Sequence, residues 1–153
     1  MTSIAAAASL CAEPLTPGEF DRLAELLDAE GLPSGDVGDP GVRMFAFRDG
    51  EAAVGYAGLE VYGEDALLRS VVVDPAHRRA RLGRAIVEAT LAEARRLGAT
   101  RAFLLTTSAK GYFERLGFAT IDRASAPEAI LATRQAAGLC PSSAVLMAKA
   151  TTP

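Results

Sequence analysis

The sequence holds a single histidine, His77, and only two cysteines, Cys11 and Cys140. One histidine excludes a multi-histidine metal cluster. Two isolated thiols without CxxC spacing are a poor basis for a disulfide framework or a zinc site, so no metal is expected. Buried structural thiols in a reducing cytoplasm explain them better. Long apolar runs are lacking too, and no segment is long enough to cross a bilayer. The Ala-rich opening from Met1 to Leu15 has no basic residues ahead of its apolar stretch, unlike a secretory signal. The expectation is a cytoplasmic chain with no membrane partner. Excess positive charge is also absent: the formal net charge is -3, which argues against a nucleic-acid partner gripped through its phosphates.

What is present is an ordinary globular composition. Of 153 residues, 50% are hydrophobic and 23% charged, enough for one core and a single domain over 1–153. Thr16 reads as the N-cap of a first helix, with Pro17 at its first position and Glu19 completing a capping box. Phe20, Leu23, Leu26 and Leu27 fall at helical spacing, and Gly31 ends the run. Residues 31–41 carry four glycines and two prolines and form a long loop. Strands follow near Arg43–Arg48 and Ala52–Val61, joined by Asp49-Gly50, and then at Ala66–Val73. Helical periodicity over Leu82–Leu97 stops at Gly98. Arg101–Thr106 is a strand, Ser108 caps a helix reaching Leu116, and Phe118–Ile121 starts another strand. A helix from Pro127 to about Gln135 and a strand at Ala144–Ala148 close the order, a mixed sheet with helices on its faces.

The chemistry concentrates after Val71-Val72-Val73. There an apolar strand end runs through Asp74-Pro75 into the start of an amphipathic helix, whose unpaired amides and positive dipole end form an anion site. Arg78, Arg79, Arg81 and Arg84 fall within seven residues of a chain that is acidic overall. A pyrophosphate would compensate their mutual repulsion. A solvated basic helix start is the alternative.

This stretch, Leu67 to Leu97, resembles the acetyl-CoA-binding core of the GNAT superfamily, whose signature is Gln/Arg-x-x-Gly-x-Gly/Ala. Arg78 fills the first position and Gly83 the last, while Arg81 stands where the first glycine is expected. Phe113-Glu114-Arg115-Leu116-Gly117-Phe118 is similar to the superfamily's second common element. The resemblance implies a mostly antiparallel α/β (α+β) sheet of six to seven strands flanked by helices, with acetyl-CoA as cosubstrate. Its phosphates would lie against Arg78, Arg79, Ala80, Arg81, Leu82, Gly83 and Arg84, and its pantetheine arm along the backbone of Val71 and Val73. Three shorter pieces resemble the arsenic-resistance-associated branch, akin to amino-acid N-acetyltransferases: Leu67-Leu68-Arg69-Ser70-Val71-Val72-Val73, Leu104-Leu105-Thr106-Thr107 and Leu139-Cys140-Pro141. The implied acceptor is the amine of a small, amino-acid-like molecule; a homodimer is left open.

Acetyl transfer needs a neutral amine, a polarised thioester carbonyl and a proton for the departing thiolate. Glu60, at a strand end, is the candidate base. If it stands opposite Leu67 it shares a face with Arg69, and a one-residue slip would separate them. Arg69, a charge in mid-strand, either pairs with a carboxylate or holds an anionic group of the acceptor. The tyrosine acid usual in the superfamily is replaced by Phe113, and Tyr112, one residue earlier, is the substitute candidate. Thr106 and Thr107 at a strand end, and Arg134 on the late helix, are candidates for holding the acceptor. Arg81 raises a question of its own. If its φ is positive, the turn is strained by about 1–2 kcal/mol; if negative, the side chain points outward and the turn is unstrained.

Overall fold

The computed structural model of the chain describes residues 10–77, 81–133, 135–139 and 143–152. Arg78, Arg79, Ala80, Arg134, Cys140 and Pro141 lie outside the described residues. The first helix starts as its spacing predicts: Thr16 is extended, its N–H donates to Glu19 Oε1 at 2.9 Å, and α1 runs Pro17–Ala29 with Leu23, Leu26 and Leu27 buried. It follows a short strand, β1 (Cys11–Pro14). Then come β2 (Arg43–Asp49), β3 (Ala52–Tyr62) and β4 (Asp65–Val73), a meander of antiparallel neighbours. A 3-10 turn at Pro75–His77 precedes α2 (Leu82–Arg96), and β5 (Arg101–Thr106) returns parallel to β4. Next are α3 (Lys110–Arg115), β6 (Ala119–Thr120), α4 (Glu128–Leu131) and β7 (Val145–Ala150). Among the described residues seven strands form one mixed sheet in the order β1-β2-β3-β4-β5-β7-β6, in which the β4–β5 pair is parallel and the other pairs antiparallel.

Three local expectations are corrected. Ser108 does not cap α3; Ala109 does, and its N–H is held by Thr106 Oγ1 at 3.0 Å. The late helix is only the four residues of α4, followed by a π-helical turn at Gln135–Leu139. Thr133 explains the interruption, because its hydroxyl donates to Ile130 O at 2.7 Å and accepts from Ala136 N–H at 3.2 Å, diverting bonds that would continue the helix. The last strand runs on to Ala150, two residues past the predicted end.

Each face of the sheet carries helices over its own apolar layer. Leu68, Val87, Leu91, Ala94 and Leu104 pack on the α2 side, with Ile86 against Phe47 and Ala57. On the other side α1 covers Met44, Tyr56 and Val72, and Ile130 of α4 covers Leu67 and Phe103. Strict alternation along β4 would put Val72 beside Leu68, yet the two sit on opposite faces. The register shows why. Gly58 pairs Arg69 and Tyr56 pairs Val72, so β4 carries one residue more than β3 across this interval. Ser70, with φ 57°, is the odd residue of a β-bulge, and beyond it Val71 and Val73 turn to the α2 side.

Gly55 fits the tightest contact between β3 and α2. A Cβ there would meet Ile86 Cδ1 and fall 2.8 Å from the carbonyl oxygen of Val72. Because that second neighbour is backbone, Gly55→Ala is expected to cost about 2–3 kcal/mol. A thermal melt should show Tm lowered by roughly 5–10 °C.

Candidate active site

β4 and β5 pair only from Asp65↔Arg101 to Leu67↔Phe103. Beyond that point the strands separate, and the gap between them is a cavity of about 760 Å³. Leu68 to Val73 line one wall, Leu104 to Thr106 the other, and Tyr112 and Phe113 of α3 close the side. Both strands therefore present backbone N–H and C=O groups to the cavity, as the edge of a sheet does. Glu30 and Leu32, just past α1, line the cavity as well, and Arg81 and Gly83 line it where α2 begins.

The first turn of α2 faces the cavity at Arg81 and Gly83. The first intrahelical bond described runs from Ala85 N–H to Arg81 O at 2.9 Å, so the amides of Leu82, Gly83 and Arg84 have no intrahelical partner. Arg81 is the N-cap and takes the left-handed conformation, φ 71° and ψ 0°. Of the two alternatives posed by its position, the strained one holds: the glycine-type turn is kept with a side chain attached. Gly83 is needed for space. A Cβ at that position would fall 2.5 Å from Tyr112 Oη and 3.7 Å from Val73 Cγ2. Tyr112 thus lies across the cavity against the start of α2, and burial pushes its phenol above the ordinary tyrosine value, with Arg84 and Arg115 pulling the other way.

At the other end, Glu60 pairs Leu67, the register that puts it on one face with Arg69. The two meet each other. Arg69 Nη1 donates to Glu60 Oε2 at 3.0 Å and to Asp36 Oδ2 at 2.6 Å, Nη2 donates to Asp36 Oδ1, and Nε donates to Ser70 Oγ at 3.2 Å. Tyr62 Oη donates to the remaining Glu60 oxygen at 2.6 Å. The side chains of Arg69 and Asp36 are each 1% exposed and that of Glu60 8%. Burial lowers the Arg69 pKa, but the bonds and charges of Asp36 and Glu60 outweigh it and hold the guanidinium above its ordinary value. Burial first, then the Glu60 bond, push the Tyr62 phenol up to about 12.

Residues 6–118 match the model of the acetyltransferase (GNAT) family. The chain belongs to this family. Family membership carries the enzyme class, N-acetyltransferase, and acetyl-CoA as cosubstrate. Among curated proteins no significant match is found. Solved structures share the fold. N-acetylglutamate synthase from Neisseria gonorrhoeae, complexed with coenzyme A and N-acetyl-glutamate, superposes with a TM-score of 0.75 at 17% identity over 94% of this chain. The chain spans 35% of that synthase. The ribosomal-protein-S18-alanine N-acetyltransferase from Escherichia coli gives 0.67 at 18% identity, covering 94% of this chain and 95% of that one. Spermidine/spermine N-acetyltransferase from Vibrio cholerae gives 0.64 at 14% identity, covering 95% and 94%.

Within the acetyltransferase site, several expected roles shift. Both Glu60 oxygens are engaged by Arg69 and Tyr62, and Glu60 is not among the described residues lining the cavity, so the position proposed for a general base holds a buried counter-charge to Arg69. Of the two alternatives for Arg69, the structure shows the pairing with carboxylates of the protein, which joins the 31–42 loop and β3 to the bulge at Ser70. Thr106 lines the cavity but spends its oxygen on capping α3, whereas Thr107 is exposed on the cavity wall. Arg84 is half-exposed and reaches Glu88 at 3.3 Å. Asp36 and Ser70 were missed. Arg69 in mid-strand signalled that a carboxylate existed, but nothing in a glycine-rich loop marked which one.

Two variants test this geometry. Arg81→Gly relieves the left-handed strain and is expected to raise stability by up to about 1 kcal/mol, whereas Arg81→Ala keeps the Cβ and gains nothing. Urea midpoints of the pair separate strain from charge. Arg69→Ala leaves Asp36 and Glu60 buried without their cation, so about 3–5 kcal/mol should be lost at neutral pH. With the cation gone, burial favours the protonated carboxyls in the folded state, so that variant should regain stability as pH falls from about 8 to about 5. A urea midpoint that stays flat over this range would contradict the assignment.

Proposed function

We propose that the chain transfers an acetyl group from acetyl-CoA to the amine of a small, amino-acid-like acceptor. The observation that carries this reading is the parting of β4 from β5 at Leu67 and Phe103, which opens two strand edges onto a cavity that ends at the first turn of α2. The fit can be judged from the chain's own groups. An extended arm with amide groups matches the strand edge that lines the cavity at Val71, and a pyrophosphate matches the first-turn amides of α2 beside Arg81 and Gly83. Arg78, Arg79 and Ala80 precede Arg81 in sequence.

Acetyl-CoA, when bound, supplies the acetyl group as an activated thioester. The residues around it orient and desolvate. Leu68, Leu104 and Phe113 make an apolar wall, which favours the neutral form of an amine held there. Phe113 stands where the superfamily resemblance places a proton donor, and it has none to give. The Tyr112 hydroxyl lies toward Gly83, alongside the arm rather than at the bulge. In this reading the amine surrenders its proton to water and the departing thiolate takes one from water, while Tyr112 serves the arm.

Support for an amino-acid-like acceptor comes from the sequence pieces shared with the arsenic-resistance-associated and amino-acid branch. The fold similarity to N-acetylglutamate synthase is compatible with it. A link to arsenic or xenobiotic resistance rests on those sequence pieces alone. Phe113 also favours a second reading, a non-catalytic module that senses acyl-CoA. Titration with acetyl-CoA followed by thiol release over a panel of amines separates the two. We expect saturable binding, and CoA release that is fastest with carboxylate-bearing amines, an arsenic-containing amino acid among them. Binding without release across the panel would leave the sensor, and no binding would remove both.

A further inference from the structure

Asp74 follows β4 directly and is used at every polar group it has. Its N–H donates to Val54 O at 2.8 Å, and its own carbonyl accepts from His77 N–H at 2.9 Å. Its Oδ1 accepts from Ala76 N–H at 3.0 Å. Arg22, in the middle of α1, brings Nε to within 3.3 Å of Oδ2 and Nη2 to within 3.2 Å of Oδ1 and 3.1 Å of Oδ2. The Asp74 side chain is 11% exposed and that of Arg22 47%, so the carboxylate is nearly enclosed while the guanidinium reaches it from solvent. Burial alone would raise the Asp74 pKa, but the Ala76 amide and Arg22 reverse this and hold it below the usual carboxylate range.

These bonds join three parts that the sheet alone would not connect. The side chain fixes the 3-10 turn at Pro75–His77, which hands the chain on to the basic stretch and to Arg81. Through Arg22 it fixes α1 against that turn, and residues just past the far end of α1, Glu30 and Leu32, line the cavity.

We propose that Asp74 is a positioning residue for the anion-binding start of α2 at Arg81 and Gly83, and that its ion pair with Arg22 transmits the placement of α1 to that end of the cavity. The proposal rests on the acetyl-CoA reading above. Asp74 and Arg22 are absent from the cavity lining among the described residues, so their effect is indirect. Displacement of a binding group by about an ångström is enough to weaken a contact by an order of magnitude or more.

Three variants separate the roles. Asp74→Asn keeps an acceptor for the Ala76 amide and weakens the ion pair, Asp74→Ala removes both, and Arg22→Met keeps the aliphatic stem of the arginine without its charge. Each is measured for CoA dissociation constant by calorimetry, for Tm, and for amide exchange at Ala76 and His77 in the free protein. We expect Arg22→Met and Asp74→Asn to weaken CoA roughly tenfold. The double variant should be no weaker than either single, because both break one link. Asp74→Ala should weaken CoA further and accelerate exchange at Ala76. If Tm falls and exchange quickens while every dissociation constant stays within about twofold of wild type, the pair is only a strut and the proposal fails. A wild-type protein that binds no CoA would instead remove the functional reading, and this proposal with it.

Discussion

Two parallel strands that part company expose backbone groups on both sides of the opening. β4 and β5 exchange pairing over three residues and then separate, so Leu68–Val72 and Leu104–Thr106 no longer pair each other and line a cavity between the strands. Buried N–H and C=O groups must find partners. A solvated cleft, or a ligand with amide groups, satisfies them, whereas a closed apolar core would not. The gap therefore explains the cavity, and the cavity explains why α2 starts where it does. The helix begins at the open end, with its positive pole toward the space the strands have vacated.

The bulge at Ser70 is what makes the gap usable. One additional residue on β4 reverses the facing of everything after it, so Arg69 points to the α1 side while Val71 and Val73 point to the α2 side. Without that reversal Val72 would join Leu68 on the α2 side, and Arg69 and Val71 would share the α1 side. Arg69 then bonds Ser70 Oγ directly, so the charged network and the bulge stabilise one another. Charge is also divided along the cavity. Arg81 lies near the start of α2, and at the opposite end the single Arg69 cation is enclosed by Asp36 and Glu60. An anion is drawn to the first end.

The sequence made the order of elements along the chain, the capping box at Thr16 and the α2 boundaries readable because each rests on local chemistry: a cap three residues from its partner, a helical stripe, a glycine beyond the last turn. For the candidate site, Gly83 and the arginines are adjacent in sequence, so an anion end could be proposed. Glu60 and Arg69 could be put on one face once the register was assumed, because strands alternate. What they do there could not be seen, since Asp36 comes from a loop whose path no periodicity encodes. The bulge was hidden for a related reason. Three consecutive valines suit either face, so Val71-Val72-Val73 gave no sign that the alternation had shifted.

Among the described residues, Ser70 and Arg81 are the two non-glycine positions with positive φ, and both line the cavity. Strain of this kind persists only where the surroundings over-determine the backbone. At Ser70 they do: the pairings of Gly58 with Arg69 and of Tyr56 with Val72 fix both flanks, and Arg69 holds the side chain. At Arg81 the described flank is the helix, secured by the bond from Ala85 N–H to Arg81 O. Glycine would adopt either conformation without cost in the folded state. An arginine kept at the second position therefore needs a compensating gain elsewhere. A guanidinium beside the first-turn amides of α2 offers one, a charge where a phosphate would lie, and that gain appears only when the anion is present. Cofactor-free protein carries the strain uncompensated, so a phosphate-bearing ligand that engages Arg81 should add stability beyond what backbone amides alone supply.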